Sequence, residues 1–386
     1  MNILIISHGI PSSLDPQWGC FELDQARALQ NLGHQVTIAA IDGRYRSLFR
    51  HRGISRVEFG EIAAYLYYLI PLKFIFFSRL KYFIRMKMMQ RLFHQVVSKQ
   101  GLPDVIYAHY MFSMYELSFV RREHLHIPII GIEHWSKLNQ PTLSKELQVL
   151  GNKAYNTVDR LLAVSESLKS QINRHFNKDS EVVNDMLGEE FVGAKVGNKQ
   201  KEASFRFIAV GSLYTIKRFD LLIRAFAQSE LAKADCSVTI VGDGEERQKL
   251  KSLIEELRLT DCVFLVGRKN KQEIIGLLQE SNAFVLSSDA ETFGVACIEA
   301  LSQGLPAIAT RCGGPEEFIT KSNGILIEPN NVVALANAMK EIYKDYEQYD
   351  CVSIAEECNR RFAPQNIAKR LEKIFEEEIE KKKQIV

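Results

Sequence analysis

Two glutamates flank the start of a predicted helix in the second half of the chain. Glu291 and Glu299 are eight residues apart, and Gly294 lies between them. Glu291 precedes the helix and Glu299 lies inside it, so helical spacing does not bring the carboxylates together as an acid–base dyad. They can instead hold two parts of one elongated ligand. The helix N-terminus between them offers amide hydrogens and a positive dipole end, which suit a diphosphate. Taken alone, the pair is equally consistent with a helix cap and a surface glutamate.

Two cations stand in front of another predicted helix in the same half. Lys217 and Arg218 precede a helix predicted at 220–228. Cations are unfavourable at a helix N-terminus, so this placement indicates an anion nearby, although plain surface charges remain the alternative. The chain has no Asp-x-Asp and no carboxylate cluster with the spacing of a magnesium site. We therefore predict that neither a metal nor a cofactor takes part.

Two histidines follow predicted strands in the first half. His109 follows a strand predicted at 104–108, and His134 follows one predicted at 127–132. Ligands of parallel sheets bind outside the carboxyl ends of the strands. An imidazole there can hydrogen-bond a hydroxyl group, which makes both histidines candidate acceptor ligands. A purely structural role for each stays open.

Short apolar strands alternate with helical stretches along the chain, which predicts an α/β protein with parallel sheets. A first series begins at 2–7, and a second begins at 206–210 after a polar, glycine-containing stretch. The restart predicts two Rossmann-like domains, 1–187 and 188–364, with a ligand cleft at their interface. A charged helix at 365–386 is expected to pack back on the first domain. The other predicted strands are 36–40, 104–108, 127–132 and 160–164 in the first series, and 237–241, 263–266, 283–286 and 306–309 in the second.

Composition excludes several classes of protein. The chain has 386 residues and a net charge of +2, which argues against nucleic acid as a partner. Its seven cysteines are scattered without a C-x-x-C pair, which argues against a disulfide framework or a zinc site and favours a reducing compartment. No signal peptide and no run of about 18 apolar residues is evident. The G-x-G-x-x-G fingerprint of nicotinamide enzymes is absent. These features predict a cytoplasmic protein.

The segment 62–103 contains no acidic residue. Seven lysines and arginines are mixed there with nine tyrosines and phenylalanines. Such a mixture on helices predicts peripheral contact with an anionic membrane. The alternative is a core helix whose long cationic side chains reach the solvent.

Four sequence blocks follow one another in the second half of the chain. The run ETFGVACIEALSQGLPAIAT, which starts at Glu291, resembles the E-x7-E block of the retaining glycosyltransferases of family four, which have the GT-B fold. Residues 211–222 resemble its G-x-L-x-x-x-K segment, 241–244 its G-x-G turn, and 264–267 the strand that faces the nucleotide base. The first half matches more loosely, through 19–21, 33–36 and His134. Because four blocks occur in order, chance agreement is a poor explanation.

The resemblance implies a role for individual residues. Glu299 matches the glutamate that holds the ribose hydroxyls, and Glu291 the one that contacts the transferred sugar. Lys217 matches the basic residue that neutralises the leaving diphosphate. Ser212 departs from the family, many members of which carry arginine there, and Arg218 is the candidate to compensate. The implied catalytic residues are Glu291, His134 and Lys217, and the implied acceptor ligands are His109 and His134. The implied donor-binding residues are Gly19, Gly211, Ser212, Lys217, Arg218, Gly242, Gly244, Gly267, Arg268, Glu291, Thr292, Phe293, Gly294, Val295 and Glu299.

The resemblance also implies a reaction. A sugar would pass from a nucleotide diphosphate, UDP rather than GDP, to a lipid-linked or saccharide acceptor with retention of configuration, in the synthesis of a surface polysaccharide or glycolipid. The enzyme would lie at the inner face of the cell membrane. The leaving phosphate itself would take the acceptor proton, so no protein base is named. Two alternatives remain: a sugar-nucleotide epimerase of the same architecture, and an inactive nucleotide-sugar-binding subunit. Plain glycine turns, such as one at Gly19, also remain an alternative.

Overall fold

A computed structural model describes residues 1–12, 18–43, 53–68, 78–193, 196 and 204–385. The chain forms two compact units. The first unit comprises Met1–Asn184 and Pro364–Val386, and the second comprises Asp185–Ala363. The boundary at 184 and 185 compares with the predicted 187 and 188. Of the polar stretch predicted as a linker, 188–201, residues 194–195 and 197–201 lie outside the described residues.

The first unit is built on an eight-stranded sheet. Its strand order is β3-β4-β2-β1-β5-β6-β7-β8, and every neighbouring pair is parallel except the antiparallel hairpin of β3 and β4. Chain order reverses between β1 and β5, which is the switch point where open α/β sheets bind ligands. Strands β1 to β8 are Asn2–Ser7, Gln35–Asp42, Gly53–Phe59, Ile62–Tyr68, Val105–His109, Ile129–Glu133, Arg160–Ala163 and Glu181–Val182.

Helices cover this sheet and bury its apolar strands. Ile3 to Ile6 of β1 are at most 1% exposed, as expected for a strand covered on both faces. Helices α5 and α6 begin at Ser144 and Ser165, whose hydroxyls accept backbone N–H groups of the first turn. Helices α1 to α6 are Cys20–Asn31, Ser78–Gln100, Tyr110–Glu116, Val120–Glu123, Lys145–Tyr155 and Glu166–Phe176.

The helix that ends the chain belongs to the first unit. This helix, Pro364–Ile385, is α13, and it packs on α1. Phe375 contacts Tyr107 of β5 with ring centroids 5.2 Å apart. At its other end, the Lys382 ammonium lies 2.9 Å from the Asp159 carboxylate. The first sheet is therefore covered in part by residues that follow the second unit in the chain.

The second unit contains a six-stranded, fully parallel sheet. Its order, β11-β10-β9-β12-β13-β14, is that of a doubly wound dinucleotide fold, with the switch point between β9 and β12. Strands β9 to β14 are Phe205–Val210, Cys236–Val241, Val263–Gly267, Ala283–Leu286, Ala307–Thr310 and Gly324–Ile327. Helices α7 to α12 are Phe219–Ser229, Arg247–Glu256, Lys271–Gln279, Val295–Ser302, Val332–Asp345 and Cys351–Phe362.

The segment 62–103 differs from its prediction. Residues 62–68 form strand β4 rather than a helix, and Ile62 to Leu66 are buried between β2 and β3. The charge-free start of the segment is thus explained by burial in a sheet and not by a membrane. Residues 69–77 lie outside the described residues. Among the described residues of this segment, only those in α2 can offer a helical surface. No helix in the described part of the chain is long and apolar enough to cross a membrane.

Candidate functional site

The switch point of the second sheet gathers a lysine, a glutamate and two serines. The Lys217 ammonium lies 2.6 Å from Oε1 of Glu291. The same oxygen accepts the hydroxyl hydrogen of Ser288 at 2.7 Å. Ser287 donates to the backbone carbonyl of Lys217 at 3.0 Å and so joins the end of β12 to the loop after β9. Two predicted catalytic residues, Lys217 and Glu291, are therefore neighbours.

The backbone around Glu291 is held on both sides. Its N–H donates to the Cys312 carbonyl at 2.9 Å, and its carbonyl accepts from Gly314 N–H at 3.3 Å. The Thr310 hydroxyl donates to the Ser288 carbonyl at 2.5 Å. The side chain of Glu291 keeps 12% exposure, so one face of the carboxylate stays open to solvent. These hydrogen bonds thus hold the loop that carries the partly exposed side chain of Glu291.

Helix α10 begins directly after this loop. Gly294 caps it with φ of 98°, a left-handed conformation that favours glycine. Phe293 is 1% exposed and packs on Phe318 and Phe362, with ring centroids 5.3 and 5.5 Å away. The predicted contribution of Phe293 to a ligand site is therefore confined to its backbone, because its side chain is part of the core. Thr292, Val295 and Glu299 are half-buried around the same helix start.

Three of the predicted donor-binding glycines differ in how much space the surrounding protein leaves for a side chain. A Cβ at Gly242 would lie 1.9 Å from the Gly211 carbonyl oxygen, and one at Gly244 would lie 2.5 Å from the Leu213 carbonyl oxygen. Their glycine identity is explained by packing between strand ends. At Gly211 the closest atom would be 3.5 Å away, in the ring of Phe219, which is ordinary contact. Among these three positions, packing leaves the presence of glycine unexplained only at Gly211. Close approach of a ligand would explain it there.

Arg218 is bound by two carboxylates of its own unit. It caps α7 in a left-handed conformation with φ of 48°, and its guanidinium donates to Asp220 at 3.0 Å and to Asp289 at 3.2 Å. The hydrogen bond to Asp220 raises the pKa of Arg218 above its ordinary value. The two carboxylates orient the Arg218 guanidinium, and its replacement of the arginine missing at Ser212 stays a prediction. Arg268, after the positive-φ Gly267, is exposed.

The switch point of the first sheet gathers histidines. Nδ1 of His109 lies 3.1 Å from Nε2 of His134, and the two ring planes are nearly parallel, with an interplanar angle of 4° and centroids 5.2 Å apart. His109 is 0% exposed, and burial lowers its pKa to about 3. The predicted direct contact of His109 with an acceptor needs correction, because a fully buried ring offers no surface to a ligand.

A second pair at this point was not predicted. His8, directly after β1, forms a hydrogen bond with the buried carboxylate of Glu22 on α1. Burial alone would raise the pKa of Glu22, but the hydrogen bond and charge of His8 lower it to about 2. Gly19, before α1, has φ of 78°, and a Cβ there would lie 2.2 Å from the Gly9 carbonyl oxygen. The glycine is therefore required by the turn itself. A histidine that ends a buried strand was the available signal for His8.

A buried glutamate organises the backbone beside His134. Glu133 is 0% exposed and accepts the N–H groups of His134 and Trp135, both at 3.0 Å. It also accepts the Met111 N–H at 2.9 Å and the Tyr155 hydroxyl at 3.0 Å. Burial raises the pKa of this carboxyl above its ordinary value. An acidic residue inside an apolar strand was the sequence signal for this role, which went unused.

Comparison with known proteins decides the family. The profile described as "Glycosyltransferase Family 4" matches residues 23–184, and the one described as "Glycosyl transferases group 1" matches residues 194–357. The chain belongs to the family-four glycosyltransferases. Each unit of this glycosyltransferase is thus covered in large part by one of the two profiles.

Individual relatives agree with this assignment. An uncharacterized glycosyltransferase of Methanocaldococcus jannaschii is 24% identical over 285 residues, which are 73% of this chain and 77% of that protein. The apo structure of the lipopolysaccharide outer core galactosyltransferase WaaB has a TM-score of 0.72 at 19% identity, covering 98% of this chain and 100% of that one. The structure of Anabaena HepE in complex with UDP-glucose has a TM-score of 0.73 at 17% identity, with coverage of 98% and 100%. The fold of this glycosyltransferase is GT-B, as predicted.

One group of potential metal ligands lies elsewhere in the glycosyltransferase. Within the described residues, ligand atoms of His94, Glu123 and His124 lie within 4.8 Å of one another, at the surface of the first unit. None of these residues was predicted to act in the reaction. Metal-independent transfer stays a prediction.

Substitution of Gly211 by alanine separates ligand approach from folding. The methyl group meets only ordinary contacts in the protein, so the melting temperature should stay near the wild-type value. If a phosphate approaches this backbone, the KM for the donor should rise about tenfold, the effect of about 1.4 kcal/mol. Steady-state kinetics with a varied donor measure this. A wild-type KM for the donor would contradict the close approach.

Acid should destabilise the first unit through His109. Unfolded, this ring binds a proton near its ordinary pKa of 6.5; folded, it does so only near 3. Its neutral form therefore contributes stability that is fully present above about pH 6.5 and is lost as the pH falls toward 3, by up to about 1.4 kcal/mol per pH unit. Urea midpoints at pH 7.5 and 5 should differ less in His109→Asn than in wild type. Above pH 7 the urea midpoints of the two proteins should change in parallel. If the midpoints at pH 7.5 and pH 5 differ by the same amount in His109→Asn as in wild type, the assignment is contradicted.

Proposed function

We propose that this glycosyltransferase moves a sugar from a nucleoside diphosphate, UDP rather than GDP, to a saccharide or lipid-linked acceptor with retention of configuration and without a metal. The observation that carries the proposal is the cluster of Lys217, Glu291 and Ser288 beside the start of α10. An ammonium and the first amides of a helix together suit a diphosphate. A partly exposed carboxylate next to them suits the hydroxyl groups of the attached sugar.

The reaction follows from these groups. The bond between the anomeric carbon and the β-phosphate oxygen breaks, and negative charge builds on the diphosphate. In this proposal, Lys217 and the first amides of α10 stabilise that charge. The acceptor oxygen forms the new bond to the anomeric carbon on the same face, and its proton passes to the departing phosphate. No protein nucleophile is required by this sequence of steps.

The donor assignment draws support from a solved relative. HepE, of the same fold, was crystallised with UDP-glucose. A thermal-shift series with UDP, GDP and ADP tests the base directly, since a bound ligand raises the melting temperature by mass action. We expect the largest shift with UDP. Mass spectrometry of products from UDP-sugars and saccharide acceptors, with and without EDTA, then tests transfer and its metal independence. Hydrolysis or epimerisation without any transfer product would contradict the proposal.

The lipid-linked acceptor and the contact with a membrane are proposed from two observations. One is the surface of α2, and the other is the similarity in fold to WaaB, which is named a lipopolysaccharide outer core galactosyltransferase. Leu80 and Phe83 are 47% and 50% exposed, and the Lys87 ammonium lies 6.0 Å from the Phe83 ring. Arg85 is instead ion-paired with the buried Glu116. The remaining exposed apolar and cationic residues suit an anionic membrane at its inner, cytoplasmic face.

Vesicle sedimentation tests this surface. The protein should bind vesicles that contain phosphatidylglycerol, lose them at high salt, and ignore pure phosphatidylcholine. Phe83→Ala should weaken the binding, whereas Leu125→Ala, at an exposed apolar position outside α2, serves as the matched control. Equal binding of vesicles by wild type and Phe83→Ala would contradict the proposal that α2 contacts the membrane.

A further inference from the structure

The pair of histidines in the first unit leaves one hydrogen to be assigned. Nδ1 of His109 and Nε2 of His134 are 3.1 Å apart, so one of the two nitrogens donates and the other accepts. Parallel strands place them: His109 ends β5, and His134 follows the neighbouring strand β6. Whichever ring donates, the choice fixes the chemistry of His134.

Burial and charge decide which nitrogen donates. His109 is fully buried and neutral near pH 7, so its ring carries one hydrogen. Its Nε2 and the Oε2 atom of Glu22 are both buried without a hydrogen-bond partner among the described residues. The Glu22 carboxylate, 1% exposed and bonded through its other oxygen to His8, acts electrostatically on His109. A hydrogen on Nε2 of His109 is attracted by this negative charge.

With its hydrogen on Nε2, His109 accepts at Nδ1, so the donor in the pair is His134. We propose that His109 is a positioning residue: its Nδ1 accepts a hydrogen bond from Nε2–H of His134 and so holds the His134 ring in one orientation toward a substrate hydroxyl group. The inference rests on the proposed function for the identity of that substrate, a sugar. His109 acts only through His134, because it has no exposed surface of its own.

The surroundings of His134 support an orienting role. Tyr110 packs against the His134 ring with centroids 5.2 Å apart, and it does so from a left-handed backbone with φ of 66°, which is strained for an aromatic residue. Glu133 fixes the N–H of His134 at 3.0 Å. The ring is therefore constrained by a hydrogen-bonded histidine, a tyrosine and its own anchored backbone. Such over-determination suits a group whose orientation matters for a reaction.

Nuclear magnetic resonance of protein labelled with 15N-histidine tests the assignment without any need for activity. At pH 7.5 the Nε2 signal of His134 should be that of a protonated nitrogen, and the Nδ1 signal of His109 that of a bare one. His109→Leu removes the acceptor and should abolish this pattern. His109→Asn keeps an amide oxygen near the position of Nδ1 and should restore it. Glu22→Gln removes the charge and should shift the His109 hydrogen toward Nδ1, which changes the signals of both rings.

Kinetics supply the second readout. His109→Leu should lower kcat about tenfold or more while the KM for the donor stays near wild type, and His109→Asn should recover most of the loss. His34→Leu, at a histidine in the α1–α13 contact, is the matched control and should alter neither kcat nor the His134 signals. Circular dichroism confirms that each variant is folded; should His109→Leu unfold, Glu22→Gln decides.

Two outcomes would overturn the inference. One is a wild-type His134 signal that places the hydrogen on Nδ1. The other is a folded His109→Leu protein with unchanged His134 signals and kcat. The expected tautomer in a protein that transfers no sugar would overturn the proposed function instead, and leave the positioning of His134 standing.

Discussion

Replacing Lys217 by alanine is expected to lower kcat by about 10²–10³ while the protein stays folded. The lysine is the cation nearest to Glu291, at 2.6 Å, and Arg218 is already held by Asp220 and Asp289. Without it, the charge that builds on the departing diphosphate loses its fixed counter-charge. Ser288 continues to donate to Glu291, so the loop keeps a partner. Single-turnover rates of sugar transfer measure the change.

The control for this experiment is a lysine of the same unit with no proposed contact. Lys249 pairs with Glu246 at 2.6 Å on the exposed face of α8, and Lys249→Ala should retain the wild-type rate. Melting temperatures of both variants distinguish a chemical from a structural loss. Wild-type turnover in Lys217→Ala would remove this lysine from the reaction.

A substitution at Gly242 should have the largest effect on stability. An alanine Cβ would lie 1.9 Å from the Gly211 carbonyl oxygen, and the backbone φ of 142° is unfavourable for residues with a side chain. The Gly242 N–H also donates to the Gly267 carbonyl at 2.9 Å, so three strand ends meet here. We expect Gly242→Ala to lower the free energy of unfolding by about 3 kcal/mol or more. Urea denaturation measures it.

Gly276 offers a matched control for the same chemical change. It lies inside helix α9, and a Cβ there would meet nothing within 4 Å. Gly276→Ala should stabilise the protein by about 0.5–1 kcal/mol, because alanine loses less backbone entropy in a helix. Equal stability of Gly242→Ala and wild type would mean that the strand ends can move apart.

Much of the fold was predictable because buried parallel strands are continuous apolar runs. The strands at 2–7 and 283–286 were predicted with their observed bounds. The β3–β4 hairpin was not predicted. Its inner strand, β4, contains tyrosines and alanines that also suit a helix. Because basic residues follow this strand, the whole segment 62–103 was interpreted as helical. A local sequence pattern does not show that the strand containing Ile62 to Leu66 pairs with a neighbouring strand on each side.

The site was predictable in its residues but not in its contacts. Lys217 and Glu291 are 74 positions apart, and only the sheet order brings them together. Sequence motifs also do not separate glycines required by packing, such as Gly242, from one that packing does not require, Gly211. The complete burial of His109 and the pairing of His8 with Glu22 depend on how α1 and the strands of the first sheet pack together, which is tertiary information.

The position of α13 has a consequence for biosynthesis. Residues that complete the first unit, among them Phe375 against Tyr107, are translated only after the whole second unit. While the ribosome is still making 185–363, the side chains that α13 will cover remain exposed to water and to other chains. The second unit can reach its native state first, which reverses the usual N-to-C order. Slow elongation late in the message would therefore lengthen the time during which the nascent protein needs a chaperone.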